Sequence, residues 1–239
     1  GSIAYQTFDK DVENQELRTI IRNNIHGVDI KEEAIEIAQL NLFLKLATSS
    51  QQLMDVSKNI LVGNALVDDP SVDPNAFDWE KIFPEKFDVI IGNPPYVKED
   101  VNRIIFEQVK KTNMLQYYQG KMDYWYFFTC KALDILKIGG YHSFVAQNNW
   151  ITSDGAKILR NKILEDSKIL SFWDFNEFKV FQNASIQTMI YVLEKTKKQL
   201  SSYQINYFKV TQKNISIEQI RNCLLNNKKD ERVEWYSTN

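Results

Sequence analysis

The chain has 239 residues, of which 44% are hydrophobic and 25% are charged, and these proportions are typical of a globular protein with a buried core. The net charge of −2 excludes a uniformly basic nucleic-acid-binding protein, so any binding to nucleic acid requires a local concentration of positive charge. No apolar run is long enough to cross a membrane, and no signal peptide is visible. We therefore expect a cytoplasmic protein without a membrane partner.

Neither the cysteines nor the histidines indicate a redox or metal site. Cys130 and Cys223 have no spacing typical of a disulfide framework, and His26 and His142 lie far apart in the sequence. The thiols are therefore expected to be reduced, and no metal is expected.

Helix and strand signals alternate along the chain. In the first half we predict a polar helix, a strand that ends at an acid, an amphipathic helix and two more strands, at residues 14–24, 24–30, 31–47, 58–66 and 87–91. In the second half we predict a helix stopped by two glycines, a fourth strand, another helix and three further strands, at residues 123–138, 141–147, 153–166, 168–175, 185–195 and 203–210. Beyond residue 210, the Asn- and Lys-rich chain is typical of a truncated edge.

This alternation predicts an α/β fold with a doubly wound, mostly parallel sheet. The third strand, FDVII, is rich in apolar residues and is therefore expected to be buried inside the sheet. Ligands of such sheets bind beyond the carboxyl ends of the strands. Asp29, the pair Gly63-Asn64 and residues 93–96 all lie at the carboxyl ends of predicted strands, so we expect them to share one rim.

The sequence Asn93-Pro94-Pro95-Tyr96 directly follows the third strand. Two consecutive prolines remove two backbone donors and fix two φ angles, so this corner is stiff while its carbonyls can still accept hydrogen bonds. The pattern predicts a rigid set of acceptors beside an aromatic face. The alternative is a rigid turn without chemistry.

The order of motifs along the chain resembles that of the gamma-class adenine-N6 DNA methyltransferases, and most closely the methyltransferase region of type IIG restriction–modification enzymes. Between residues 20 and 195, the motifs are GVDI, GNAL, FDWEKIFPE, FDVIIGNPPYV, YYQGKMDYWYFF, LKIGGYHSFVAQNNW and VFQNASIQTMIYVL. The resemblance implies a Rossmann-like methyltransferase fold. It also implies S-adenosyl-L-methionine as the cofactor and double-stranded DNA as the partner.

The resemblance assigns catalysis to the residues 93–96, and their chemistry agrees with that role. The exocyclic amine of adenine is a poor nucleophile and gains positive charge when it accepts a methyl group. The Asn93 side-chain carbonyl and the Pro94 backbone carbonyl could accept hydrogen bonds from this amine and favour that change. Pro95 stiffens the corner, and Tyr96 offers a face for stacking on the base, worth on the order of 1–3 kcal/mol.

A base within a duplex must be flipped out before it can reach such a corner. By resemblance, Phe181 corresponds to the aromatic residue that closes the opposite side of the base pocket. Phe175 and Phe178 are nearby alternatives, and an ordinary core role remains open for Phe181.

The cofactor residues are also assigned by resemblance. Asp29 and Ile30 would hold the ribose and the adenine ring of S-adenosyl-L-methionine, although Asp29 could equally be a helix N-cap. Asn64 stands where many relatives carry an acid that accepts a hydrogen bond from the cofactor's adenine amine, and its side-chain oxygen can still accept one. Ala65 would lie against the ring.

The glycine-rich turn that receives the methionine part of the cofactor in this family is not found before GVDI, and the first strand is missing with it. We therefore expect a fragment of a larger enzyme that is inactive by itself. Residues 1–2 have the composition of a tag remnant, residues 3–200 would form a partial methyltransferase domain, and residues 201–239 would contain an edge strand and the start of a target-recognition region. An exposed sheet edge would favour self-association.

Two other functions stay open from the sequence. Protein glutamine-N5 methyltransferases share the NPPY motif, but they lack the long segment between this motif and the next helix, and they lack the VFQNAS aromatic. A non-catalytic, DNA-facing scaffold would explain the missing turn if it had been lost in nature.

Overall fold

The computed structural model describes residues 15–46, 55–181, 186–197, 202–226 and 230–238. The chain divides into two compact units, and the boundary lies between Asp78 and Trp79. Each unit contains its own β-sheet. Within the described residues, no helix combines the length and the apolar character that crossing a bilayer requires.

The first unit contains a two-stranded parallel sheet flanked by helices. Its elements are helix α1 (residues 15–24), strand β1 (Gly27–Asp29), helix α2 (Glu32–Leu46) and strand β2 (Ile60–Val62). In the register, Gly27 pairs with Ile60 and Asp29 pairs with Val62. The carboxyl ends of both strands therefore lie at the same edge of this sheet.

A buried asparagine, placed directly before β2, forms hydrogen bonds with the carboxyl end of α1. Asn59 is 6% exposed, and its Nδ2 donates to the carbonyl oxygens of Ile21, Arg22 and Ile25 at 3.3, 2.8 and 3.0 Å. Carbonyls at the end of a helix have no partner within the helix, so a side-chain donor at this position satisfies them.

Within its described residues, the second unit contains a six-stranded mixed sheet with helices. Its helices are α3 (Trp79–Ile82), α4 (Arg103–Val109), α5 (Trp125–Ile135), α6 (Lys157–Asp166) and α7 (Ile217–Asn226). Its strands are β3 (Phe87–Gly92), β4 (Leu136–Gln147), β5 (Ser167–Asp174), β6 (Thr188–Lys195), β7 (Ile205–Val210) and β8 (Val233–Thr238). The order across the sheet is β3-β4-β6-β5-β7-β8.

The predicted α/β fold is confirmed, and the structure adds the strand directions. The pairs β1–β2, β3–β4 and β5–β7 are parallel. Strand β6 lies between β4 and β5 and runs antiparallel to both, and β8 runs antiparallel to β7. Strands β7 and β8 therefore extend the same sheet that contains β4.

The expectation that the third strand is buried was wrong for this chain. In β3, Val89 is 57% exposed and Ile91 is 76% exposed. Strand β3 is the outermost strand of its sheet, and among the described residues only β4 pairs with it. An apolar run is typical of a strand that is covered on both faces, whereas here the run lies at an exposed edge.

The helix expected to continue to residue 138 ends earlier, at Ile135, and β4 begins at Leu136. The two glycines predicted to stop the helix lie within this strand, where the β3–β4 register shifts. Gly139 has φ of +80°, which favours glycine. A β-carbon on Gly140 would come within 2.9 Å of the Asp88 carbonyl oxygen, so this position also requires glycine.

The sequence after residue 210 is typical of a truncated edge, but its described residues include helix α7 and strand β8. Helix α7 buries Ile220 and Cys223 in a cluster with Trp173 of β5. The rings of Trp173 and Phe208 stack with centroids 3.9 Å apart. The apolar positions of α7 recur at helical spacing, but the surrounding Asn and Lys residues concealed them.

A buried polar chain crosses the core of the second unit. His142 Nδ1 lies 3.2 Å from the Ile90 carbonyl, and its Nε2 lies 3.1 Å from the Tyr191 hydroxyl. That hydroxyl lies 2.8 Å from Thr129 Oγ1. A neutral imidazole satisfies every link when Nδ1 carries its proton. Burial lowers the pKa of His142 to about 4, so the imidazole is neutral at physiological pH.

We expect this histidine to make the fold acid-sensitive. Because the folded pKa of about 4 lies below the ordinary value of 6.5, the unfolded chain takes up a proton in this window before the folded chain does. The unfolding free energy of the wild type should fall by about 3 kcal/mol relative to that of His142→Gln between pH 6.5 and pH 4. Urea denaturation across this range measures the difference, and two curves that stay parallel would contradict it.

Candidate active site

The NPPY corner begins where β3 ends. A β-carbon on Gly92 would lie only 2.9 Å from the Phe144 ring, so glycine allows this ring to pack against the end of the strand. Asn93 and Pro95 are exposed, Pro94 is buried, and Tyr96 is half-buried. The residues 93–96 belong to no helix or strand, so the Pro94 carbonyl takes no part in regular secondary structure.

The Tyr96 hydroxyl lies within hydrogen-bond distance of Asn93 and of β4. Its oxygen lies 2.9 Å from Asn93 Oδ1 and 2.8 Å from the carbonyl oxygen of Val145 in β4. Burial, with a contribution from the Asp123 charge, raises the pKa of Tyr96 to about 12. The phenol therefore keeps its proton at any physiological pH and acts as a hydrogen-bond donor.

The segment after Tyr96 is paired with the residues that precede α5. Lys98 forms an isolated antiparallel bridge with Asp123. The Tyr124 amide donates to the Val97 carbonyl at 2.7 Å. These bonds hold the chain on the carboxyl side of NPPY against a buried helix, so the corner is supported on both sides.

Asp123 is a buried acid that sequence reasoning missed. The residue is 4% exposed, and its charge contributes to the raised pKa of Tyr96. The signal in the sequence is an acid placed directly before the aromatic run YWYFF.

A second polar cluster lies at the ends of β4 and β5. Asp174 accepts hydrogen bonds from Asn148 Nδ2 at 3.1 Å, from the Tyr207 hydroxyl at 2.8 Å and from the Asn176 amide at 2.8 Å. Asn148, which directly follows β4, therefore joins the end of β4 to the end of β5. This cluster is also one that the sequence did not reveal, because its members lie far apart in the chain.

The three candidate aromatic residues after β5 have different environments. Phe175 is 3% exposed within the cluster around Trp173, and Phe178 packs against that cluster. Phe181 is half-buried and is followed by residues outside the described ranges. The rings of Phe175 and Phe178 are therefore engaged in the core.

The residues predicted to bind the cofactor lie in the first unit, whereas the NPPY residues lie in the second. Asp29 ends β1 and is exposed; its Oδ1 accepts a hydrogen bond from the Lys31 amide at 2.8 Å. Its carbonyl accepts one from Gly63 at 2.9 Å, so the ends of β1 and β2 meet as expected for parallel neighbours. Ile30 is 52% exposed.

Asn64 is buried and has partners on both sides of its amide. Its Nδ2 donates to Asp73 Oδ2 at 2.8 Å, and its Oδ1 accepts from the Leu66 amide at 3.1 Å. Ala65, next to it, is half-buried. A carbonyl oxygen has two lone pairs, so Asn64 Oδ1 retains one further place for a donor.

Comparison with known proteins supports the resemblance seen in the motifs. A sequence model of the Eco57I restriction-modification methylase family matches residues 23–181, more than half of the chain. The type II restriction enzyme and methyltransferase RM.Eco57I of Escherichia coli is 28% identical over 216 residues, which are 80% of this chain and 21% of that protein. The type II methyltransferase M.HincII of Haemophilus influenzae is 30% identical over 114 residues, 47% of this chain and 23% of that protein.

Solved structures of restriction–modification enzymes share this fold. A DrdV–DNA complex superposes with a TM-score of 0.65 at 20% identity, covering 95% of this chain and 25% of that chain. The type ISP enzyme LlaGI, bound to a DNA substrate mimic, gives a TM-score of 0.62 at 15% identity over 99% of this chain and 22% of that chain. The chain thus spans about a fifth to a quarter of these relatives.

Proposed function

The chain belongs to the Eco57I restriction-modification methylase family, and from this membership we propose that it forms part of a site-specific DNA methyltransferase. The proposed reaction transfers a methyl group from S-adenosyl-L-methionine to the N6 amine of an adenine that is flipped out of double-stranded DNA. The observation that carries the proposal is the exposed Asn93 amide, held against the Tyr96 hydroxyl at the end of β3.

The corner suits an amine that must become more nucleophilic. Asn93 Oδ1 and the Pro94 carbonyl would accept hydrogen bonds from the two amine protons, which favours the pyramidal nitrogen and the positive charge that methylation produces. Neither group is a strong base, so the residues position the amine, and the proton leaves to water after transfer. The Tyr96 ring stacks on the base, and Phe181 is proposed as the opposite wall.

The hydrogen bonds of Tyr96 bear on how Asn93 is oriented. The hydroxyl has one proton, yet two oxygens lie within hydrogen-bond distance of it, at 2.9 and 2.8 Å. An amide turned by 180° would donate from Asn93 Nδ2 to the phenol oxygen, while the hydroxyl donates to Val145. Oδ1 would then face away from Tyr96 and be free to accept from the substrate amine. We propose that this orientation is the reactive one.

The cofactor is proposed to bind through the first unit. Asp29 would accept hydrogen bonds from the ribose hydroxyls, Ile30 and Ala65 would contact the adenine ring, and Asn64 Oδ1 would accept from the adenine amine. The support is that Asp29 is exposed beside the end of β2, and that among the described residues only the Leu66 amide donates to Asn64 Oδ1. When bound, the cofactor supplies the activated methyl group.

We expect the isolated chain to bind S-adenosyl-L-methionine only weakly, with a dissociation constant above about 100 μM, because no glycine-rich turn receives the methionine part. Isothermal titration of the chain measures this dissociation constant, and saturable binding at low micromolar concentration would contradict the prediction.

In the polypeptide with its native flanking sequence, Asp29→Asn should weaken cofactor binding by about tenfold, since the amide can accept only part of the ribose hydrogen bonding.

The reaction itself can be tested without knowledge of the recognition site. The polypeptide with its native flanking sequence is incubated with S-adenosyl-L-methionine and genomic DNA from a methylation-deficient host, and the DNA is digested to nucleosides for mass spectrometry. N6-methyladenine is the expected product. N4-methylcytosine would overturn the choice of adenine, and methylation only of protein glutamine would overturn the DNA substrate.

A further inference from the structure

A buried carboxyl group lies beside the NPPY corner. Asp123 is 4% exposed, and its Oδ1 has no hydrogen-bond partner among the residues that the structure describes. The backbone bridge to Lys98 places it opposite the segment that follows Tyr96. Asp123 therefore stands between the corner and the first turn of α5, with one oxygen unused.

Such a group costs free energy in the folded state. A carboxylate removed from water is unfavourable unless partners compensate it, and here the compensation is incomplete. Burial raises the pKa of Asp123 to about 6, against the opposing influence of the Trp125 and Val97 amides and the Lys98 ammonium. Groups that are perturbed in this way by burial, next to specific neighbours, are concentrated at functional sites.

We propose that Asp123 is a positioning residue for methyl transfer, whose carboxylate stabilises the positive charge that develops on the amine stacked over Tyr96. This inference rests on the proposed function. The nitrogen lone pair forms the new N–CH₃ bond while the S–CH₃ bond breaks and its electron pair stays on sulfur, which leaves S-adenosylhomocysteine. The nitrogen is cationic until one of its protons passes to water. Asp123 does not take that proton; it acts through its field across Tyr96.

The other titratable groups that influence this site favour the assignment. Tyr96 and Tyr126 both sense the Asp123 charge, and burial raises the pKa of each phenol, so both stay neutral. Lys98 is the cation whose charge favours ionised Asp123. Of the three groups Asp123, Tyr96 and Tyr126, Asp123 is therefore the one that changes charge near pH 6.

The test measures single-turnover transfer of a labelled methyl group to DNA from a methylation-deficient host, between pH 5 and pH 8.5. It uses the polypeptide with its native flanking sequence. The wild-type rate should rise about tenfold from pH 5 to pH 7, as Asp123 ionises. Asp123→Asn keeps the shape but not the charge. It should be roughly 10- to 100-fold slower at pH 8 and should lose that rise. Asp100→Asn removes an exposed carboxylate in the same segment and should leave rate and profile unchanged.

The outcomes separate the inference from the proposed function. An active wild type with a flat profile, or an Asp123→Asn variant with the wild-type rate, would overturn the role of Asp123 alone. No transfer by the wild type would overturn the proposed function and this inference with it. If Asp123→Asn does not fold, carbon NMR of the wild-type carboxyl groups decides together with the wild-type profile. An Asp123 carboxyl that titrates below pH 4.5 would overturn the proposal.

Discussion

Replacing Asn93 by alanine should reduce the single-turnover rate of methyl transfer by about 10²- to 10³-fold, which is the typical effect of removing one preorganised hydrogen-bonding group from a transition state. The amide oxygen is one of two acceptors proposed for the amine, and the remaining one, the Pro94 carbonyl, cannot orient both protons. Because Asn93 is exposed, its truncation removes no packing, and the unfolding free energy should stay within about 0.5 kcal/mol of that of the wild type.

The experiment uses the polypeptide with its native flanking sequence, labelled S-adenosyl-L-methionine and methylation-deficient DNA. Asn102→Ala is a matched control. Asn102 is also exposed and precedes α4, and its side chain makes no capping hydrogen bond, so its loss should leave the rate unchanged. Retention of more than a third of the wild-type rate by Asn93→Ala would show that the side chain is not the acceptor. Binding of DNA, followed by anisotropy, should change little, since the effect is on transfer.

The fold was only partly predictable from the sequence, and individual elements show why. The strand before NPPY and the stiff corner were predictable, because two prolines and an apolar run constrain the backbone locally. The exposure of Val89 and Ile91 was not, because an apolar strand reads the same whether or not a neighbour covers its outer edge. The direction of β6 was also hidden, since alternation of apolar residues carries no information on which way a strand runs.

The side-chain partners depended on contacts between distant parts of the chain. Tyr96, which follows β3, donates a hydrogen bond to the Val145 carbonyl in β4. Asp174 in β5 accepts hydrogen bonds from Asn148, which follows β4, and from Tyr207 in β7. No local sequence pattern predicts such hydrogen-bonded pairs, because each of these residue types is also common at positions where it has no such partner. Asp123 is the clearest example, since in the sequence it is one acid before a helix, and only its burial beside the corner distinguishes it. The NPPY corner at the end of a strand was therefore predictable, whereas the residues that contact it were not.

Two substitutions of Tyr96 should separate the roles of its ring and its hydroxyl. Tyr96→Ala removes the stacking face, which is worth about 1–3 kcal/mol, so methyl transfer at subsaturating DNA should fall by about 5- to 150-fold. Tyr96→Phe keeps the face but removes the hydroxyl that lies 2.9 Å from Asn93 Oδ1 and 2.8 Å from the Val145 carbonyl. Loss of these hydrogen bonds should lower the maximal rate by about 3- to 10-fold. Binding of the flipped base should be retained, because the stacking face is still present.

Base flipping gives the readout that distinguishes the two variants. Once sequencing of the methylated DNA has located the target adenine, 2-aminopurine at that position reports on flipping by its fluorescence. Tyr96→Phe should match the wild-type signal and be slow only in transfer, because an unrestrained Asn93 amide presents Nδ2 rather than Oδ1 to the amine part of the time. Tyr96→Ala should lower the signal as well. Equal rates for wild type and Tyr96→Phe would mean that the hydroxyl does not orient Asn93, and a full flipping signal in Tyr96→Ala would mean that the ring does not hold the base.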